Sequence, residues 1–134
     1  MSRRRTVSER TLRIVFYGLA GINLGLAIWL FFFPHSFYTT LGAFGPYSRH
    51  YERDVATFYL AFALGAWVAT RRPSWRVPVV AMTALQYGIH AINHAIDVNS
   101  ARNSWAGPFD LASIGVTALL AALLWLLLRR ESTV

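Results

Sequence analysis

The sequence predicts an all-α integral membrane protein: a four-helix bundle running up-down-up-down, with both termini cytoplasmic. Three observations carry this. Of 134 residues, 55% are hydrophobic and only 14% charged. The charges sit in clusters between long apolar runs, not spread over a soluble surface. The arginines divide unevenly between alternate joints.

The apolar runs are justified in chain order, within one domain. The first covers about residues 12–33 and is ended by Pro34, which cannot continue a helical hydrogen-bond ladder. The second covers about 53–70, starting near Arg53. The third covers about 77–97, with Pro78 in its first turn, where a missing N–H costs nothing. The fourth covers about 109–128, after the break at Gly107-Pro108. At ~1.5 Å per residue, about 20 residues match a hydrocarbon core of ~30 Å. A soluble bundle fails on the fourth run, where Ala118 to Leu128 carries no polar residue on any face.

Orientation follows from arginine, the chain's only basic residue type apart from histidine. Arg3, Arg4, Arg5, Arg10, Arg13, Arg71, Arg72, Arg76, Arg129 and Arg130 fall on one side, and Arg49, Arg53 and Arg102 on the other. The positive-inside rule puts the larger group in the cytoplasm. Trp67, Trp75 and Trp125 then mark the inner boundary, and Trp29 and Trp105 the outer one. Ser2-Arg3-Arg4-Arg5 superficially resembles a twin-arginine signal. The following run is too long and lacks a small-residue cleavage site, so a retained first helix is expected.

The formal charge of +7 does not point to nucleic acid, because the arginines flank apolar runs and form no basic stripe with stacking aromatics. The chain has no cysteine, which excludes disulfides, thiolate metal sites and iron–sulfur clusters. The lipid bilayer is the expected partner, with a homo-oligomer or a second membrane protein left open. Small residues at helical spacing (Gly18, Gly21 and Gly25; Ala61, Gly65 and Ala69; Ala118 and Ala122) permit close helix approach, expected chiefly inside the bundle. Asn23 and Gln86, near the midplane, are expected to pair with each other.

The third run carries the chemistry. Gln86, His90, Asn93, His94 and Asp97 recur at intervals of three and four, so they share one helix face. Ionisable groups in a membrane span face a bundle interior or a wet cavity. All four histidines and four of the six acids fall in the outer half. Asp54 and Asp110 are therefore expected to approach the same outer pocket, and the loop of residues 34–54 to fold over it. Asp54, with Glu52, can also cap the second helix, and Asp110 suits the start of the fourth. Asp97 sits where the helix dipole opposes a negative charge and needs a cationic partner such as His94.

His90 and His94, at i and i+4, have the spacing of paired metal ligands, with Asp97, Asp54 or Asp110 as the third. Zinc or iron would accept this set, and haem is a lesser case. Proton or substrate handling and a satisfied hydrogen-bond network are the other readings of the stripe. No nucleophile constellation, phosphate loop or dinucleotide fingerprint is present.

The stretches Arg53-Asp54-Val55 to Ala61, Arg72-Pro73-Ser74-Trp75-Arg76, and His90 to Asp97 resemble small bacterial four-helix membrane proteins of the DoxX-like kind, particularly actinobacterial ones. The resemblance implies a four-helix bundle and carries over no functional residue. The expected function is a multi-pass cell-membrane module, accessory or small-ligand-binding, with a polar His/Asp pocket. A metal-dependent membrane oxidoreductase or hydrolase at His90 and His94, and an oligomeric proton-coupled transporter, are the alternatives.

Overall fold

The computed structural model describes residues Val7–Glu131, and there the chain is all helical. The tail arginines Arg3, Arg4 and Arg5 lie outside the described residues. The elements are α1 (Glu9–Phe32), α2 (Pro34–Thr40), α3 (Arg49–Arg71), a 3-10 turn (Pro73–Trp75), α4 (Arg76–Ile96) and α5 (Ala106–Glu131). Of these, α1 and α5 are long and apolar enough to cross a membrane.

The helix ends have local causes. Ser8 caps α1, its Oγ accepting the Thr11 N–H at 3.1 Å. Ser48 caps α3 in the same way through Tyr51, at 3.3 Å. Helix α3 thus starts earlier than expected, and neither Glu52 nor Asp54 is its cap. Pro34 does end α1, but it also opens α2 at a position that needs no N–H. Sequence reasoning did not find α2 within the outer loop. Helix α5 begins at Ala106, so Gly107 and Pro108 lie in its first turn and do not precede it.

Helix α1 packs along α3, and α4 along α5. The first pair is antiparallel. Leu12 shares a buried cluster with Ala66 and Ala69, while at the other end Arg53 Nε donates to the Phe31 carbonyl at 3.2 Å. Phe16, Val79, Val80 and Leu128 complete the cluster, so all four long helices contribute to it. Beneath it Arg76 is buried, its guanidinium donating to both carboxylate oxygens of Glu9 at 2.8 and 2.6 Å and to the Ala69 carbonyl at 3.3 Å. Arg76 is thus a clamp between α1, α3 and α4, not a simple flanking charge.

The small residues divide differently from expectation. Ala56, Ala63, Ala66 and Ala69 are buried on α3. On α1, a methyl added at Gly18, Gly21 or Gly25 would meet nothing within 4 Å. The α1 glycine row therefore packs closely against no other element among the described residues.

Midway along the interior the core turns polar. Asn23, fully buried, donates to the Leu19 carbonyl at 2.8 Å and accepts the Tyr87 hydroxyl at 3.1 Å. Asn23 does not pair with Gln86, which is exposed. Tyr87→Phe should lower stability by about 1 kcal/mol, the usual net worth of an intramolecular hydrogen bond. Detergent unfolding of the two proteins measures this, and an unchanged midpoint would mean that Asn23 re-pairs without cost.

Candidate functional site

The end of the bundle opposite the Arg76 clamp is closed by chain. Helix α2 and the following segment fold back onto the α4–α5 connection. The Arg102 N–H donates to the Ala43 carbonyl at 2.9 Å, and Asn103 Nδ2 to the Thr39 carbonyl at 2.9 Å. The Tyr38 hydroxyl donates to the Gly45 carbonyl, which fixes the segment internally. The segment expected as a loop is thus α2 and a short connection fastened to the α4–α5 connection, and its last residues, 49–54, belong to α3.

Under this cap lie the two histidines. The His90 and His94 rings meet edge to face at 4.7 Å between centroids, as their i, i+4 spacing demands. Phe44, from the cap, places its ring edge-on to His94 at 4.9 Å. Both imidazoles are half-buried. His94 Nδ1 is buried and has no hydrogen-bond partner among the described residues. Such an atom forfeits about 1–3 kcal/mol, and marks where an outside donor or acceptor would be taken up.

Two carboxyl groups are buried at the same end. Glu52, in the first turn of α3, is 6% exposed, and Asp110 of α5 is 8% exposed. Neither side chain makes a hydrogen bond or ion pair among the described residues. Asp110 lies within electrostatic reach of Tyr59, and Tyr59 of Tyr87. Asn23, Tyr87, Tyr59 and Asp110 thus bring a succession of polar groups close to one another among the helices.

The predicted face of α4 is only partly realised. His90 and His94 turn inward, but Gln86 and Asn93 are exposed. The polar stripe is wider than the buried sector, and its margins face outward. Asp54 does not approach the pocket. It is exposed and pairs with His50 at 3.3 Å, one turn back. Asp97 is the C-terminal cap of α4, half-buried, within electrostatic reach of His94 but in no ion pair among the described residues. The ligand set His90, His94 and Asp97 is not assembled: among the described residues no three His, Asp or Glu side chains converge as metal ligands.

Sequence reasoning treated Glu52 as a cap and did not single out Tyr59, Tyr87 or Phe44 for the site. A signal for Glu52 was present. It stands in register with Ala56, Ala63 and Ala66, a row of small residues that marks the inward face of α3.

The chain matches, over residues 1–133, a family of unknown function, DUF6790, and it belongs to that family. No curated protein and no solved structure matches it.

Proposed function

We propose that this member of the DUF6790 family is a multi-pass cell-membrane protein with cytoplasmic termini, whose outer end holds a small-ligand pocket. It acts as a binding or accessory module, not as an enzyme. One observation carries the membrane part: polarity is inverted relative to a soluble bundle. All four long helices turn large apolar side chains outward, among them Ile22, Phe58, Ile96 at 76% exposure and Leu119 at 73%. The interior meanwhile holds Asn23, Glu52, Thr83 and Asp110. Water would penalise that outer surface, whereas hydrocarbon accommodates it.

The binding part rests on polar capacity left unused at this end. His94 Nδ1 is buried without a partner among the described residues, and Glu52 and Asp110 are largely buried and make no side-chain hydrogen bond or ion pair there, which is costly unless a ligand completes them. Phe44 and the paired imidazoles form an edge-to-face aromatic cluster there. No nucleophile stands beside a base there, so the arrangement favours holding a ligand over transforming it.

Thermal melting of the full chain in mild detergent tests this, using a panel of small neutral and cationic organic compounds alongside zinc chloride. A ligand at about 100 times its Kd stabilises the protein by ~2.7 kcal/mol. We expect an organic compound to raise the midpoint, and His94→Ala to abolish that rise. Stabilisation by zinc alone would replace this reading with a metal site. A rise that persists in His94→Ala would place the ligand elsewhere.

A further inference from the structure

We propose that a groove between α3 and α4, at the end opposite the pocket, holds one acyl chain of an anionic phospholipid whose headgroup is bound by Arg72. This rests on the membrane orientation given above. The groove has a volume of about 330 Å³ and is lined by Ala61, Phe62 and Gly65 of α3, Trp75 of the turn, and Pro78 and Met82 of α4. That volume lies at the small end of ligand sites and suits a single chain rather than a whole lipid.

The groove has a structural cause. Ala61 and Gly65 present almost no side chain, so α3 leaves a trough where α4 presents Pro78 and Met82. Val79 closes its floor: a methyl at Gly65 would stand 3.4 Å from Val79 Cγ2, in van der Waals contact. The trough is therefore shallow and continuous with the outer surface, open to lipid from the side.

Charge beside the groove identifies the occupant. Arg72 follows the last residue of α3, and its carbonyl accepts the N–H of the groove-lining Trp75 at 3.0 Å, so it stands next to the groove's end. Arg72 is exposed and makes no side-chain hydrogen bond or ion pair among the described residues. Its neighbour Arg71 is engaged differently, stacked over Trp67 at 4.3 Å. Trp75 lines the groove beside the turn, where an indole suits the headgroup level. An apolar trough ending in an uncommitted guanidinium and an indole matches an acyl chain followed by a phosphate.

Native mass spectrometry of the detergent-purified full chain tests this, with added phosphatidylglycerol or phosphatidylcholine. Phosphatidylglycerol should bind more tightly. Arg72→Gln should lower its affinity about fivefold, the worth of one near-surface arginine, and remove the preference. Ala61→Phe fills the trough from an exposed position and should reduce retention of both lipids. Leu119→Phe, on the outer face of α5, should change neither and controls for general surface effects. Melting temperatures confirm that each variant is folded. Equal binding of the two lipids, or retention unaffected by Ala61→Phe, would overturn the proposal. Should the chain instead leave membranes in a carbonate wash, the membrane reading itself fails. Firm membrane retention without a phosphatidylglycerol preference removes only the lipid site.

Discussion

Gly107→Ala should destabilise the protein by about 3 kcal/mol or more, the upper range for a forced overpacking. A methyl group there would stand 1.9 Å from the Val98 carbonyl oxygen and 2.9 Å from its carbon. Both are backbone atoms, so no rotamer change relieves the clash. Val98 directly follows Asp97, which caps α4, so relief requires the start of α5 to move away from the end of α4. That movement would carry Asp110, three residues on, away from its buried place beside Tyr59. Gly21→Ala provides the contrast. Nothing lies within 4 Å of the added methyl, and alanine is the better helix former, so that change should be neutral or stabilising by up to ~1 kcal/mol. Unfolding of both variants in detergent reads the difference. Equal stability would mean that the α4–α5 junction is looser than described.

Asp110→Asn should raise stability by about 1–2 kcal/mol. A buried polar group without a partner costs roughly 1–3 kcal/mol, and a charge costs more. Asp110 lies in the second turn of α5, where the helix dipole returns only ~0.3–1 kcal/mol. The amide keeps the shape, cannot carry the charge and can donate to neighbouring carbonyls. A residue that destabilises its own fold is characteristic of a site kept for function. The same substitution should therefore weaken any compound found to bind. A loss of stability in Asp110→Asn would mean that Asp110 is structural, and the pocket would then rest on Glu52 and His94.

The four long helices were legible because length, apolarity and helix-stopping prolines act locally. Helix α2 was not, since His35-Ser36-Phe37-Tyr38 reads equally as an interfacial loop. Its helix is secured by contacts far along the chain, such as Asn103 with the Thr39 carbonyl. The site was half legible. Spacing on α4 placed His90 and His94 together, because i and i+4 are neighbours on any helix. Spacing cannot tell how wide the buried sector is, and Gln86 and Asn93 fell outside it. Asp54 and Glu52 show the same limit. Two residues apart on one helix, they point in different directions, and the row of alanines decides which faces inward. Arg76 read as one more flanking charge because its partner, Glu9, is distant in sequence.

The central claim is that the four long helices cross a membrane with the pocket end outward. Because the chain has no cysteine, a single introduced thiol reports its own position without interference. Ser100→Cys lies in the α4–α5 connection, and Ser74→Cys in the turn between α3 and α4; both positions are exposed. Labelling intact cells of a bacterial expression host with a membrane-impermeant maleimide is the direct measurement. Ser100→Cys should be labelled in intact cells, and Ser74→Cys only after permeabilisation. Labelling of Ser74→Cys in intact cells, or of neither variant until the cells are opened, would contradict the claim.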